Sequence, residues 1–459
     1  MENSLFIGRK KELQDLRLLL ARRLASLVVI KGRRRIGKSR LIEEFAKGKK
    51  FLRFEGVAPT RKTTAKEQRA EFARQMHQQL GIPGLQDLKD WGDLFTVLAK
   101  ATKKEKVVIL FDEITWMGSK DSVFLGKLKI VWEQYFQKNS NLILILCGSL
   151  SSWIEKNIIS STGFLGRISL KLTIGELPLN ECNQLLKARG FKGSSQEKFT
   201  VLALTGGVPW YLEQINPSLS ASENIRRLCF ESDGLFVEEF KYIFNDLFGK
   251  RLPICKKIVE SLRDGAKENS EIAKSIQYPV GGPLSDYLED LIISGFLERE
   301  HIWSLQSGQE LKASRYRIRD NYIRYYLKYI FPHLRKIKKG LFKKISPFRL
   351  PGWEGVMGLQ FENLVLNNRT AIWEALGLDV EDIVFENPYF QLKSSKYPGC
   401  QIDYMIQTRF KNLYICEIKF SHKPISMEVI KEMKAKLKSL KLQKGFAPLP
   451  VLIHMNGVT

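Results

Sequence analysis

The segment Gly32–Ser39, reading GRRRIGKS, has the spacing G-x-x-x-x-G-K-[ST]. It lies between an apolar run, Leu27-Val28-Val29-Ile30, and a helical pattern from Lys38 to Ala46. In a strand–loop–helix setting, two such glycines let the backbone wrap around phosphates with its N–H groups turned inward. The helix N-terminus adds partial positive charge at the same place. Lys38 is set to reach the β- and γ-phosphates, and the Ser39 hydroxyl to ligate Mg²⁺. Gly32, Arg33, Arg34, Arg35, Ile36, Gly37, Lys38, Ser39 and the adjoining Arg40 are the expected contacts of a nucleoside triphosphate. For the consecutive Arg33, Arg34 and Arg35, three partners stay open: the nucleotide, an acidic neighbour or DNA.

Two further groups of side chains fit metal and water chemistry. Asp112 and Glu113 follow the apolar run Val107–Phe111, and the C-terminal tip of a parallel strand is where such a sheet presents its ligand crevice. Asp112 there would hold the Mg²⁺ shell opposite Ser39, and Glu113 would orient or deprotonate the attacking water. Far downstream, Asp403 ends Gln401-Ile402-Asp403, and Glu417-Ile418-Lys419 follows fourteen residues later. Residues two apart on a strand share a face, so Glu417 and Lys419 point together. Asp403, Glu417 and Lys419 suit Mg²⁺-assisted attack on a phosphodiester, with Glu362 on the preceding helix completing the acidic cluster.

The elements that must position these groups alternate. Strands are expected at Phe51–Glu55, Val107–Phe111, Leu142–Cys147 and Leu170–Ile174, with a helix over Leu125–Phe136. That alternation predicts an α/β domain with a parallel sheet. A helical stretch from Pro178 to about Ser218, broken at Thr205-Gly206-Gly207-Val208-Pro209, reads as a lid. Three short helical patterns within 252–294 lead through Gly295-Phe296-Leu297 into a charged hairpin, a winged-helix pattern. Residues 331–350 carry five Lys, two Arg and no acidic residue, and read as a basic linker. In the last domain, helix Val356–Leu366 precedes strands Cys400–Ile406 and Asn412–Phe420, a basic helix Met427–Leu440 and a strand Pro450–His454. The expected boundaries are 1–176, 177–250, 251–330, 331–350 and 351–459.

At 459 residues and 44% apolar composition the chain has material for about three domain cores. A net charge of +25 points to a polyanion, most simply nucleic acid, or to a solvated basic surface. Six scattered cysteines without a CxxC pair argue against zinc and disulfides and fit a reducing cytosol. Neither a membrane span nor a secretory leader is read, so a cytoplasmic location without membrane partners is expected.

Phe6-Ile7-Gly8-Arg9, the Gly32–Ser39 loop, the Ile109–Glu113 tip and Thr205–Pro209 together resemble the archaeal-type ATPases, grouped with the AAA+ and STAND P-loop NTPases. The resemblance runs the length of the chain: ATPase core, helical lid, winged helix, and a C-terminal domain similar to the PD-(D/E)XK, restriction-endonuclease-like nucleases. It implies ATP with Mg²⁺ as cofactors, nucleic acid (DNA foremost) as partner, and a homo-oligomer as an available state. It places Phe6, Gly8 and Arg9 beside the adenine, Ser149 as the polar γ-phosphate sensor, and Pro209 of the lid near the nucleotide. Arg167 would stabilise transition-state charge, in cis or from a neighbouring subunit. The lid shows no second-sensor arginine of the AAA+ kind, which fits a slow switch better than a fast motor. The expectation is an ATP-binding, ATP-hydrolysing switch acting on nucleic acid, with an ATP-regulated nuclease or a non-nucleolytic scaffold as its two forms. The third winged-helix segment, Leu284–Ser294, carries Asp286, Glu289 and Asp290 without Lys or Arg, which argues against major-groove reading.

Overall fold

Continuous apolar strands have no polar face to show water, so they are covered on both sides. The computed structural model describes residues 6–459 apart from 59, 61–62, 86–89, 119, 150, 306, 392, 394, 396–397 and 443. The chain divides into two units, one of residues 1–177 with 208–210, the other of 178–207 with 211–459.

The first unit runs α1 (Lys10–Leu19), β1 (Ser26–Lys31), α2 (Lys38–Ala46), β2 (Lys50–Glu55), α3 (Ala65–Leu80) and α4 (Trp91–Ala101). It continues with β3 (Val107–Asp112), α5 (Ile114–Gly118), α6 (Phe124–Gln134), β4 (Leu142–Gly148), α7 (Ser151–Ile154) and β5 (Ile168–Thr173). All five strands are parallel, in the order β2-β3-β4-β1-β5. Every residue of β3 and β4 is buried. One face is filled by Phe54, Phe72, Trp91, Phe95, Phe111 and Phe124, whose edge-on and stacked rings give both area and specific geometry. Helix α4 supplies two of these rings. It was not among the expected elements, although Asp90 caps it by accepting from Gly92 N at 2.7 Å and Trp91, Leu94, Phe95 and Leu98 repeat at helical spacing.

The second unit begins with α8 (Leu179–Ala188) and α9 (Ser195–Thr205). Helix α10 (Pro209–Glu213) starts in the first unit and ends in the second; α11 (Ala221–Cys229) and α12 (Leu235–Phe248) follow. Next come α13 (Leu252–Ser261), β6 (Lys267–Glu268), α14 (Asn269–Ile276), α15 (Gly282–Ile293), β7 (Leu297–Trp303) and β8 (Glu310–Ile318), the strands forming an antiparallel sheet β6-β8-β7. After α16 (Asn321–Tyr325), the basic run folds into helical turns, including α17 (Leu334–Lys338), which buries Ile337 and leaves Arg335, Lys336, Lys338 and Lys339 exposed. The C-terminal region is α18 (Trp353–Leu366), α19 (Arg369–Ala375), β9 (Ile383–Gln391), β10 (Cys400–Thr408), β11 (Asn412–Lys419), α20 (Met427–Ser439) and β12 (Ala447–His454). Its sheet has the order β12-β11-β10-β9, antiparallel except for the β11–β12 pair. Strand β9 was not foreseen; its Asn387-Pro388 step interrupts the apolar alternation.

Two features weld the second unit internally. Trp303, at the end of β7, is buried in the core of the C-terminal sheet, 4.7 Å from the Phe385 ring, and its indole N–H donates to Gln407 at 3.1 Å. Gln360 on α18 is fully buried and donates to the Ala203 carbonyl on α9 at 2.6 Å and to the Asn321 carbonyl at 2.7 Å. It also accepts from Arg324 at 2.9 Å. A buried network of this kind holds only when complete. Gln360→Leu leaves two carbonyls and a guanidinium N–H unsatisfied, and costs about 3 kcal/mol, read as a lower midpoint in chemical denaturation.

Candidate functional site

The phosphate-type loop is pinned from beneath. A Cβ on Gly32 would stand 2.4 Å from the Ile174 carbonyl oxygen, so only glycine lets the loop lie against the end of β5. Gly37, at φ 87°, makes the left-handed turn that starts α2. Lys38 is buried, and its ammonium donates to the carbonyls of Gly32 at 2.8 Å and Arg33 at 3.0 Å, so the charge sits within the loop's own curve. Ser39 Oγ donates to Asp112 Oδ2 at 2.9 Å across the gap from α2 to β3. A hydroxyl and a carboxylate are hard oxygen donors, the set that suits Mg²⁺, and the buried ammonium beside inward-turned backbone suits phosphate. The residues present fit the nucleotide and the metal.

Glu113 follows with φ 49°, a left-handed conformation that costs a non-glycine residue about 1 kcal/mol or more. Both its carboxylate oxygens accept from Ser149 Oγ, at 2.9 and 3.1 Å, and Ser149 N donates at 3.3 Å. Gly56 allows this turn, since a Cβ there would meet the Glu113 carbonyl at 2.8 Å.

The three loop arginines have protein neighbours. Arg33 pairs with Glu176 at 3.1 Å, Arg34 lies over the Trp116 ring at 4.9 Å, and Arg35 lies over Trp210 at 3.5 Å. Arg9, buried with φ 58°, donates to the Gly175 carbonyl at 2.5 Å and the Ile36 carbonyl at 3.2 Å, tying the N-terminal segment to the loop. Gly8 has φ 81°, and Phe6 is half-buried ahead of it. Arg40 lies half-buried in the first turn of α2. Pro209 flanks the loop: a Cβ on Gly37 would meet its Cγ at 3.8 Å. Arg167 stands apart. It forks onto Glu133 of α6 and donates to Leu165 O.

In the C-terminal sheet, Tyr404 pairs with Cys416, which sets Asp403 and Glu417 next along the two strands. The β9–β10 register shifts between Ile402 and Met405. Ile402 and Met405 therefore share one core despite their odd spacing, while Tyr404 and Ile406 enter the other. Such an irregularity re-aims a side chain, and Asp403 sits within it, accepting from Ile418 N at 2.9 Å. Glu417 is buried and bound by two lysines, Lys436 of α20 at 2.6 Å and Lys419 at 3.0 Å; Lys419 also reaches Glu432 at 3.3 Å. Burial and the Glu417 charge push the Asp403 carboxyl up. Desolvation opposes a charged Lys419, but Glu417 and Glu432 carry it above its ordinary range.

Glu362 on α18 feels the charge of Asp403. Helix α18 packs on the face bearing Tyr404, Ile406, Cys416 and Ile418, whereas Glu417 and Lys419 alternate onto the α20 face. Glu362 also lines a cavity of about 270 Å³ with Glu300, Arg317, Arg324 and Gln401. Among the described residues, no group of three or more His, Cys, Asp or Glu stands close enough to hold a metal ion.

Residues 6–215 match the family model described as an ATPase domain predominantly from Archaea. The matched segment holds the whole phosphate-type loop, Asp112, Glu113, Ser149, Arg167 and Pro209, and supports a nucleotide-binding ATPase domain. An uncharacterized protein of Methanocaldococcus jannaschii is 25% identical over 350 residues, covering 74% of this chain and 72% of that one. Among solved structures, the chain is similar to the Walker-type ATPase of Pyrococcus abyssi, with TM-score 0.48, 16% identity, and coverage of 70% of this chain and 96% of that one. It is also similar to the ORC2 protein of Aeropyrum pernix, with TM-score 0.43, 14% identity, and coverage of 74% and 97%. Among the described residues, no helix is long and apolar enough to cross a membrane.

Within the ATPase domain, the sequence missed Arg53 on β2, which reaches Asp112 Oδ2 at 2.9 Å, and the aromatic partners Trp116 and Trp210. Arg53 had no signature of its own, being a charge on a short edge strand. Lys436 was legible only as part of a basic helix; its i, i+4 spacing from Glu432 put both on the turns facing Glu417 and Lys419.

Burial, and then the charge of Asp403, raise Glu362 from 4.5 to about 7, against the pull of Arg324. Between those two values the native state keeps a proton that the unfolded chain has released, so stability falls as pH rises through that window. Thermal midpoints measured across it decline in the wild type, and Glu362→Gln flattens the decline.

Proposed function

We propose that the chain is an ATP-hydrolysing switch that acts on nucleic acid. The observation that carries this reading is the meeting of Ser39 Oγ and Asp112 Oδ2 at 2.9 Å beside the buried Lys38 ammonium. In this reading the loop N–H groups and Lys38 hold the phosphates, while Ser39 and Asp112 hold Mg²⁺. Bound Mg²⁺ would supply charge neutralisation on the phosphate oxygens. Glu113 takes the proton of the attacking water at its carboxylate, and Ser149 holds that carboxylate until it is needed. Phe6, Gly8, Arg9 and Pro209 frame the base and the lid side. Arg167, tied to Glu133, acts only if that pair opens.

Residues 251–330 are read as a winged helix, and residues 351–459 as a PD-(D/E)XK-like fold with Asp403, Glu417 and Lys419 as its metal and lysine positions. The winged helix packs within its own unit on this reading, supported by the burial of Trp303 and by the exposed Asp286 and Glu289 on α15. Nucleic acid is assigned to exposed lysines at helical spacing on α20, Lys431, Lys434 and Lys438, and to α17. A binding-only C-terminal sheet is the second reading, favoured by the lysines on both Glu417 oxygens.

Three measurements test these assignments. Lys38→Ala lowers ATP affinity at least tenfold, whereas Glu113→Gln keeps binding and slows hydrolysis about a hundredfold; unchanged turnover in both variants sinks the ATPase reading. Incubation of DNA with protein, ATP and Mg²⁺ gives cleavage that Asp403→Asn abolishes; uncut DNA with intact ATPase activity leaves the binding-only reading. Replacing Lys431, Lys434 and Lys438 by Ala reduces the slope of log affinity against log salt by about 2–3; an unchanged slope removes α20 from the interface.

A further inference from the structure

Arg53 stands where a metal ion would have to compete. Its Nη2 is 2.9 Å from Asp112 Oδ2, the same oxygen that accepts from Ser39 Oγ at 2.9 Å. Asp112 is buried at the tip of β3, and a buried carboxylate needs a cation. Two full cations cannot both crowd that oxygen without strong repulsion.

The surroundings offer Arg53 a second seat. Its Nη1 already lies 2.9 Å from Glu43 Oε1 on α2, and Glu55 Oε2 is 3.6 Å from Nη2. Both glutamates are about half exposed, so they accept the guanidinium without a large desolvation cost. Its buried Nε has no hydrogen-bond partner in its present position. The backbone is held independently: Gln79 accepts from Arg53 N at 2.9 Å and donates to Arg53 O at 2.7 Å. Gln75 grips Glu55 in the same manner, at 2.8 and 3.0 Å. The side chain can swing while β2 stays in register.

We infer that Arg53 is a resident counter-cation on the Mg²⁺-ligand carboxylate, displaced toward Glu43 and Glu55 when Mg²⁺ with nucleotide binds. Arg53 thus sets the Mg²⁺ concentration at which the site loads. The inference rests on the proposed nucleotide site and adds its regulation. Arg53 is a positioning residue in this scheme, acting through Asp112 rather than on the substrate.

Binding of a fluorescent ATP analogue, followed by anisotropy over a Mg²⁺ series and in EDTA, separates the possibilities. Arg53→Gln lowers the Mg²⁺ half-saturation at least fivefold, with EDTA affinity within twofold of wild type. Glu43→Gln, which removes the second seat, raises it. An unchanged or higher half-saturation in Arg53→Gln overturns the inference, as does loss of nucleotide binding in EDTA, which would make Arg53 a phosphate contact. Should Arg53→Gln fail to fold by circular dichroism, Arg53→Lys serves instead. A lysine cannot fork between Asp112 and Glu43, and the half-saturation still falls if the inference holds. Wild type that binds no analogue at any Mg²⁺ concentration defeats the nucleotide site itself, a result distinct from an unshifted half-saturation.

Discussion

The charge of Asp112 has to be balanced, because it is buried at the C-terminal tip of β3, an interior strand of an all-parallel sheet. Everything at the ligand end of the first unit follows from that constraint. The helix after the loop presents Ser39 to one oxygen, the edge strand sends Arg53 to the same oxygen, and the next residue bends into a left-handed turn so that its own carboxylate leaves by another route to Ser149. Two adjacent carboxylates are kept apart by backbone strain rather than by distance along the chain. The loop contributes a cation that its own carbonyls hold in reserve.

Much of this was readable from residue types because the underlying rules are local. A glycine spacing, a lysine and a hydroxyl specify the loop, and unbroken apolar runs specify buried parallel strands. The three loop arginines were legible as charge but not as contacts. Their partners, Glu176, Trp116 and Trp210, come from distant points in the sequence, and pairing over such separations leaves no periodic trace. Arg53 was invisible for a related reason. On an edge strand an arginine looks like an ordinary solvated charge until the register shows which carboxylate ends the neighbouring strand. Helix α4 was overlooked because its aromatic residues, at helical spacing, come within a stretch of otherwise mixed composition.

The C-terminal sheet shows where spacing arguments stop. The order of acidic helix, Asp strand and Glu-x-Lys strand is all present, yet alternation decides which groups can meet. Asp403 sits in an irregular step of β10 and feels the Glu417 charge, while its own charge also reaches Glu362 on α18. Period-two reasoning was sound for the pair on β11 and silent about the helix, whose face depends on packing.

Val208, Pro209 and Trp210 belong to the first unit although the chain on both sides of them belongs to the second. The polypeptide therefore passes from one unit to the other after Leu177, after Gly207 and after Trp210. A fragment ending at Leu177 would look complete by its sheet, yet it would lack the aromatic shelf under Arg35 and the proline beside Gly37. The smallest self-sufficient form of this nucleotide-binding unit is thus not a contiguous stretch defined by its strands. It is a strand-built body plus a three-residue strap that arrives from later in the chain.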